Sequence, residues 1–137
     1  MARIIGLDYG RKRSGIAVTD PDRIIASPLT TVPTHELIAF LKKYMNEEKV
    51  DCIVIGEPKQ MDYSASEAEQ YIKPFVKQLK KVFPGLTIER VDERFTSMMA
   101  TQAIIDSGAG RKDRRDKSLV DKVSAAIILQ TYLEMNT

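Results

Sequence analysis

A short apolar run, CIVIG at residues 52–56, constrains the fold of this chain more than any other segment. Five consecutive residues without a charged side chain, three of them β-branched, are typical of a strand that is buried on both faces. Such a strand requires neighbouring strands and a layer of structure on each side of the sheet. The run therefore predicts an interior strand of a layered sheet.

The elements before this run are predicted by periodicity and turn residues. Residues 3–7 and 15–19 are expected to form a hairpin, and residues 24–32 a third strand that ends at Pro33. Thr34 is then expected to cap a helix. The apolar side chains of that helix recur at helical spacing, at Leu37, Phe40, Leu41, Tyr44 and Met45.

Helices and strands alternate through the rest of the chain. Four further elements are predicted: a helix that begins near residue 64 and is stopped by Pro84 and Gly85, a strand at 86–91, a helix from about 96 to 107 and a last helix at 118–134. Ser64 and Glu67 have capping-box spacing, and Pro74 predicts a kink or an interrupted turn. Strands separated by helices favour parallel pairing, whereas the opening hairpin is antiparallel. The derived class is α/β, a mixed sheet flanked by helices.

Length and composition bound the remaining choices. The 137 residues, 43% of them hydrophobic, predict one domain spanning residues 1–137. The apolar runs fall short of the roughly 20 residues that a membrane span needs, so no membrane partner is expected. The lone Cys52 is interpreted as a buried thiol in a cytoplasmic protein, and the lone His35 as an exposed side chain.

Positive charge is concentrated locally, although the net charge is only +2. Three cations follow the first strand, and five lie within residues 108–117. We predict that the loop at 108–118 is mobile unless substrate is bound. Local basic patches bind phosphate even when the net charge is small, although such runs are also common in solvated loops. The candidate nucleic-acid contacts are Arg11, Lys12, Arg13, Lys59, Arg94, Arg111, Lys112, Arg114 and Arg115.

Acidic residues lie at the ends of three separate elements. Asp8 ends the first strand, Asp92 and Glu93 end the last strand, and Asp121 lies early in the last helix. Each also has a structural interpretation: a turn residue, a surface ion pair, or a capping box with Ser118. Because ligands of layered sheets bind at the carboxyl ends of strands, these acids could converge on one point. An oxygen-only ligand set would suit two Mg²⁺ or Mn²⁺ ions.

Four motifs, GLDYGRKRSGIAVTD, VIGEPKQMD, VDERFTS and VDKVSAAIILQTYL, resemble the YqgF (RuvX) family over nearly the whole chain. This family of Holliday-junction resolvases belongs to the ribonuclease H-like superfamily and is also assigned to 5′-end maturation of small-subunit ribosomal RNA. The resemblance implies a mixed five-stranded sheet whose first three strands are antiparallel. It also implies catalytic, metal-binding acids at Asp8, Glu93 and Asp121, with Asp92 as the second choice to Glu93.

One position departs from the family pattern. The chain has Gly56-Glu57-Pro58 where the family usually has Gly-Leu-Pro. Glu57 is interpreted as a solvent-facing substitution, with a fourth acid near the site as the alternative.

Three functions remain open at this point. The leading hypothesis is a metal-dependent nuclease that acts on precursor ribosomal RNA or branched DNA. The second is a nucleic-acid-binding ribosome-assembly factor with weak or no catalysis, for which the ribosome would be a partner. The third, an ATPase of the sugar-kinase or actin type, is disfavoured because such proteins place nucleotide between two domains. A monomer is favoured over a homodimer, since no exposed apolar stripe indicates a dimer interface.

Overall fold

The computed structural model describes residues 2–57, 69–92 and 117–135 of the chain. A 3₁₀ turn at Thr34–Glu36 precedes the first helix. The elements, in chain order, are β1 (Arg3–Asp8), β2 (Arg13–Thr19), β3 (Ala26–Pro33), α1 (Leu37–Glu47), β4 (Val50–Glu57), α2 (Glu69–Val82), β5 (Thr87–Asp92) and α3 (Lys117–Met135).

The five strands form one mixed sheet in the order β3-β2-β1-β4-β5. β1 pairs antiparallel with β2, and β2 pairs antiparallel with β3. β4 lies parallel between β1 and β5. The predicted mixed, five-stranded sheet is therefore confirmed. The CIVIG run occupies an interior strand with both faces covered, and its five residues are all buried.

Each face of the sheet carries its own hydrophobic core. Alternation along β1 sends Ile5 and Leu7 to the face covered by α1 and α2, and Ile4 to the face covered by α3. The first core is completed by Ile16, Val18, Leu37, Leu41, Ile53, Ile55, Ile72, Phe75 and Leu79. The second contains Ala17, Cys52, Val54, Val91, Ala125, Ala126, Ile128, Leu129 and Leu133. Cys52 is buried there, as predicted.

Two glycines allow α3 to lie directly on the sheet. A Cβ atom at Gly15 would lie 2.0 Å from the carbonyl oxygen of Asp121, and one at Gly6 would lie 2.7 Å from Cβ of Leu129. Real Cβ atoms do not approach so closely, so any larger residue would push the helix away from β1 and β2. Small residues on these strands therefore set the height of α3 above the sheet.

The prediction that Thr34 caps the first helix is wrong. The hydroxyl of Thr34 donates a hydrogen bond of 2.6 Å to the carbonyl of Gly10, in the turn after β1, and no side chain caps the 3₁₀ turn at this point. Pro33 occupies the N-cap position of that turn. The hydroxyl is used across the sheet edge because β3 pairs with β2 and brings Thr34 beside that turn.

Other boundaries also moved. α2 continues through Pro74 to Val82, so no interrupted turn occurs there. α3 begins at Lys117, which puts Asp121 in the second helical turn. The capping pair Ser64 and Glu67, the helix at about 96–107 and most of the loop at 108–118 lie outside the described residues.

None of the helices in the described part of the chain combines the length and the apolar character that crossing a bilayer requires.

Candidate functional site

Asp8 and Asp121 meet on one face of the sheet. Asp8 is the last residue of β1, shares the α3 face with Gly6 and is paired in register with Gly15 on β2. The backbone of Asp121 lies against that same Gly15. Two acids that are 113 positions apart in the sequence are thus brought to neighbouring places, one by the end of a strand and the other by close helix packing.

The pKa of Asp8 also reflects the nearby charge of Asp121. The pKa of Asp8 is raised from 3.8 to about 6, first because burial removes water from its carboxylate and second because the negative charge of Asp121 lies nearby. The loss of water and the nearby negative charge therefore both disfavour ionisation of Asp8. A bound cation would relieve that cost, so this pair suits a divalent ion with a preference for oxygen ligands.

Arg13 supplies a positive charge at this place within the protein itself. Its Nε atom donates a 2.6 Å hydrogen bond to Oδ2 of Asp121, so the first residue of β2 is linked to α3. The Arg13 side chain is 39% exposed and that of Asp121 is 23% exposed. A residue predicted to contact phosphate therefore pairs with a residue predicted to bind metal. Sequence reasoning did not anticipate this contact.

The turn that carries the cations is held by two hydroxyl groups. The N–H of Gly10 donates to Oγ of the buried Ser14 over 3.4 Å, and that Oγ lies 2.9 Å from Oγ1 of Thr34. The Thr34 hydroxyl donates to the Gly10 carbonyl, and its backbone N–H donates to the Lys12 carbonyl over 3.0 Å. These bonds fix the path of residues 9–12. The sequence analysis gave Ser14 no role and assigned the hydroxyl of Thr34 to a helix cap, because the actual partners of both hydroxyls are set by strand pairing.

An open groove of about 420 Å³ runs along this turn, lined by Gly10, Arg11, Lys12, Arg13 and Asp121. The guanidinium of Arg11 lies over the ring of Tyr71 on α2, 4.4 Å from the ring centroid. Arg13 reaches α3 on one side of the sheet and Arg11 reaches α2 on the other. The exposed Lys12 lies between them, so the three predicted phosphate contacts line the groove together.

Asp92 lies on the other face of the sheet from Asp8. Val91 packs into the core beneath α3, whereas the side chain of Arg90 points to α2 and donates a 2.5 Å hydrogen bond to Glu69. Alternation along β5 places Asp92 on the same face as Arg90. The structure therefore brings Asp8 and Asp121 together, whereas strand alternation assigns Asp92 to the opposite face of the sheet.

Glu57 is the register partner of Asp92 at the end of β4. The preceding residue, Gly56, follows Cys52 and Val54 on the α3 face, so alternation puts Glu57 on the α2 face. Its side chain is partly exposed and has other interactions in the molecule. Alternation therefore assigns Glu57 to the opposite face of the sheet from Asp8. His35, by contrast, is exposed as predicted, with 82% of its side chain accessible.

Several predicted site residues lie outside the described residues: Glu93, Lys59, Arg94, Arg111, Lys112, Arg114 and Arg115. Within residues 2–57, 69–92 and 117–135, no group of three or more His, Cys, Asp or Glu side chains is arranged to hold a metal ion. The described part of the site thus contributes two carboxylates and three cations.

Known proteins resemble this chain over nearly its whole length. Residues 2–135 match the RuvX family, which is described as "Holliday junction resolvase". A protein of Christiangramia forsetii named "Putative pre-16S rRNA nuclease" is 58% identical over 133 residues, covering 97% of this chain and 98% of its own length. A protein of Bacteroides thetaiotaomicron with the same name is 57% identical, covering 98% of this chain and 97% of its own length.

A solved structure shares the fold at much lower identity. It is RuvC of Thermus thermophilus in complex with Holliday junction substrate, with a TM-score of 0.59 and 16% identity, and the match covers 100% of this chain and 98% of that one. The fold class predicted from the sequence is confirmed by this likeness. The chain therefore belongs to the RuvX family of Holliday junction resolvases, a family of enzymes that hydrolyse nucleic acid.

Proposed function

We propose that this protein is a metal-dependent nuclease that hydrolyses phosphodiester bonds of structured nucleic acid in the cytoplasm. Its proposed substrates are the 5′ end of the 16S ribosomal RNA precursor, Holliday junctions, or both. The names of the relatives support the first substrate and the family description supports the second. One observation carries the proposal: two acids meet at the end of β1, beside a groove lined by three cations.

Asp8 and Asp121 are the described residues that would hold the metal, and we propose Glu93 as the third ligand. Asp92 is a poorer choice for this role, because alternation puts it on the other face of the sheet. A pair of Mg²⁺ or Mn²⁺ ions would activate an attacking water and stabilise the leaving oxygen of the phosphodiester.

The chain's own residues would position the substrate. Arg11, Lys12 and Arg13 line the groove and would hold the phosphates on either side of the cleaved bond. Arg13 can contact the phosphates of the substrate only when its guanidinium leaves Asp121, since the two side chains are paired. Asp8 must be ionised to bind a cation, and its raised pKa makes that state dominant only above about pH 6. The cations at Lys59, Arg94, Arg111, Lys112, Arg114 and Arg115 are proposed to extend the same contact.

The test is cleavage by purified protein with Mg²⁺ or Mn²⁺ of two substrates, a 16S rRNA precursor and a four-way DNA junction. We expect cleavage of at least one substrate, abolished by chelation and by Asp8→Asn. Asp22→Asn, a change in an exposed turn away from the groove, is the control. Cleavage that is equally fast in Asp8→Asn would contradict the proposal. Gel filtration of the same samples tests the proposal that the protein acts as a monomer.

The ion pair between Arg13 and Asp121 supports a second candidate, a ribosome-assembly factor that binds nucleic acid without cutting it. In that case the acid would serve as a structural partner of the arginine, and no metal would be required. Binding would then persist in chelator and in Asp8→Asn, and it would fall steeply with salt because phosphate contacts release counterions. Metal-dependent cleavage would dispose of this candidate.

A further inference from the structure

Tyr71 is a partly exposed aromatic residue with no role in the site as described so far. It lies near the start of α2 with 41% of its surface accessible. The guanidinium of Arg11 lies over its ring, and Arg11 also lines the groove. The exposed ring therefore borders the place where the phosphate backbone is proposed to lie.

Contacts of neighbouring residues fix the part of α2 that carries Tyr71. Ile72 and Phe75, on the inner face of α2, are buried in the core. Phe75 packs against Tyr9 with ring centroids 4.4 Å apart and the rings tilted by 32°, and Tyr9 directly precedes the cationic turn. Glu69 is 5% exposed and is bonded to Arg90 on β5. The first turns of α2 are thereby fastened both to the turn after β1 and to the last strand.

We propose that Tyr71 and Arg11 form a stacking subsite for an unpaired nucleobase next to the cleaved phosphate. Every nucleobase presents a flat π-face, and aromatic rings and guanidinium planes are the groups on which proteins stack such bases. The phosphates run along Lys12 and Arg13, and one base turns toward α2 to extend the stack of the tyrosine and the arginine. The inference rests on the proposed function, since it assumes that nucleic acid occupies the groove.

Stacking on Tyr71 and Arg11 requires a base that is not paired within a duplex. A base within a duplex has its π-faces covered by its neighbours, so only an unpaired or flipped base can stack on a protein ring. The subsite therefore selects a single-stranded end, a bulge or the open centre of a branched structure. RNA and DNA share this chemistry, and the ribose hydroxyl plays no part in stacking.

Binding in the absence of cleavage tests the inference. Short RNA and DNA single strands carrying one 2-aminopurine at successive positions are titrated with the full-length protein in chelator. Stacking quenches this fluorophore, so we expect quenching at one position with the wild-type protein and with Tyr71→Phe. Tyr71→Leu, which keeps an apolar side chain without a π-face, is expected to lose the quenching and to bind about tenfold more weakly. Quenching by one strand type alone identifies the source of the base.

Tyr44→Ala is the matched control, because Tyr44 stacks on Phe40 in α1 and packs near Arg3, at the opposite end of β1 from Asp8. It is expected to leave quenching unchanged. Retained quenching in Tyr71→Leu, or none with the wild-type protein at any position, would overturn the inference. A cleavage assay in Mn²⁺ on the same samples is read separately: quenching without cleavage refutes the nuclease proposal alone, and cleavage without quenching refutes the stacking subsite alone.

Discussion

Arg13 and Asp121 form a 2.6 Å ion pair that joins the start of β2 to the second turn of α3. The pair connects the cationic turn with one of the two acids of the proposed metal site. A metal cation held by Asp8 and Asp121 would compete with the guanidinium of Arg13 for the carboxylate of Asp121. Metal binding and phosphate binding are then coupled, since displacement of Arg13 from Asp121 frees it for the substrate backbone.

This competition makes the effect of Arg13→Gln predictable. Removal of a partly exposed ion pair worth up to about 1 kcal/mol should raise the affinity for Mn²⁺ by up to about fivefold and weaken binding of nucleic acid. Calorimetric titration with Mn²⁺ and filter binding of RNA in chelator measure the two effects. Arg23→Gln, which breaks the ion pair of Arg23 with Asp51 on the exposed surface, is the control. Unchanged affinity for Mn²⁺ would show that the pair does not oppose metal binding.

Asp8→Asn is expected to stabilise the protein without metal at neutral pH. The pKa of Asp8 is raised from 3.8 to about 6 in the folded state, so the folded state holds its proton more tightly than the unfolded state does. The free energy of unfolding therefore falls as the pH rises from about 4 to about 6, and the loss, on the order of 3 kcal/mol, is complete above that range.

The measurement is urea unfolding of both proteins in chelator at pH 4 and pH 7.5. The variant should gain stability relative to the wild-type protein at pH 7.5 and show little difference at pH 4. Asp22→Asn serves again as the control. An Asp8→Asn protein that is less stable than the wild type at pH 7.5 would show that the carboxylate is compensated by a partner in the folded state.

The convergence of Asp8 and Asp121 was accessible from the sequence for a definite reason. A residue at the end of a strand has a known direction from alternation, and a helix with small residues such as Ser124 and Ala125 on one face is expected to pack on the sheet. The sense of strand pairing follows from the same local patterns, because strands joined by helices pair in parallel and hairpins do not, whereas the order of the strands does not follow from them. These inferences need only local periodicity.

The contacts that shape the turn were not accessible in this way. The hydrogen bond from the Thr34 hydroxyl to the Gly10 carbonyl depends on the pairing of β3 with β2. This pairing includes a register shift between Ile16 and Ala17. A threonine after a strand and before a helix has the same local sequence whether it caps the helix or bonds across the sheet. The partner of Arg13 depends likewise on how closely α3 approaches β2, which no local pattern encodes.

Thr34→Val should loosen the cationic turn. The change keeps the shape of the side chain but removes the hydroxyl that donates to Gly10 and contacts Ser14, which should cost about 1–2 kcal/mol of stability. Binding of nucleic acid should also weaken, because the cations would no longer be held in place. Thr131→Val removes a hydroxyl bonded to Ile127 within α3, far from the turn, and should leave binding unchanged. Equal binding by both variants would mean that the turn keeps its shape without this bond.

Gly15→Ala tests the close packing that brings Asp121 beside Asp8. The added Cβ atom would lie 2.0 Å from the carbonyl oxygen of Asp121, a distance that only a shift of α3 can relieve. We expect the free energy of unfolding to fall by about 2–3 kcal/mol, which is the usual cost of overpacking a rigid contact.

Displacing the helix would also separate the two acids, so Mn²⁺ affinity and cleavage should fall together. Gly85→Ala is the matched control, because a Cβ atom there meets no atom of the described residues within 4 Å. Thermal unfolding with and without Mn²⁺ distinguishes the effects: the control should keep the stabilisation by metal, whereas Gly15→Ala should lose most of it. Full stabilisation by metal in Gly15→Ala would show that Asp121 binds the ion without its close packing against β2.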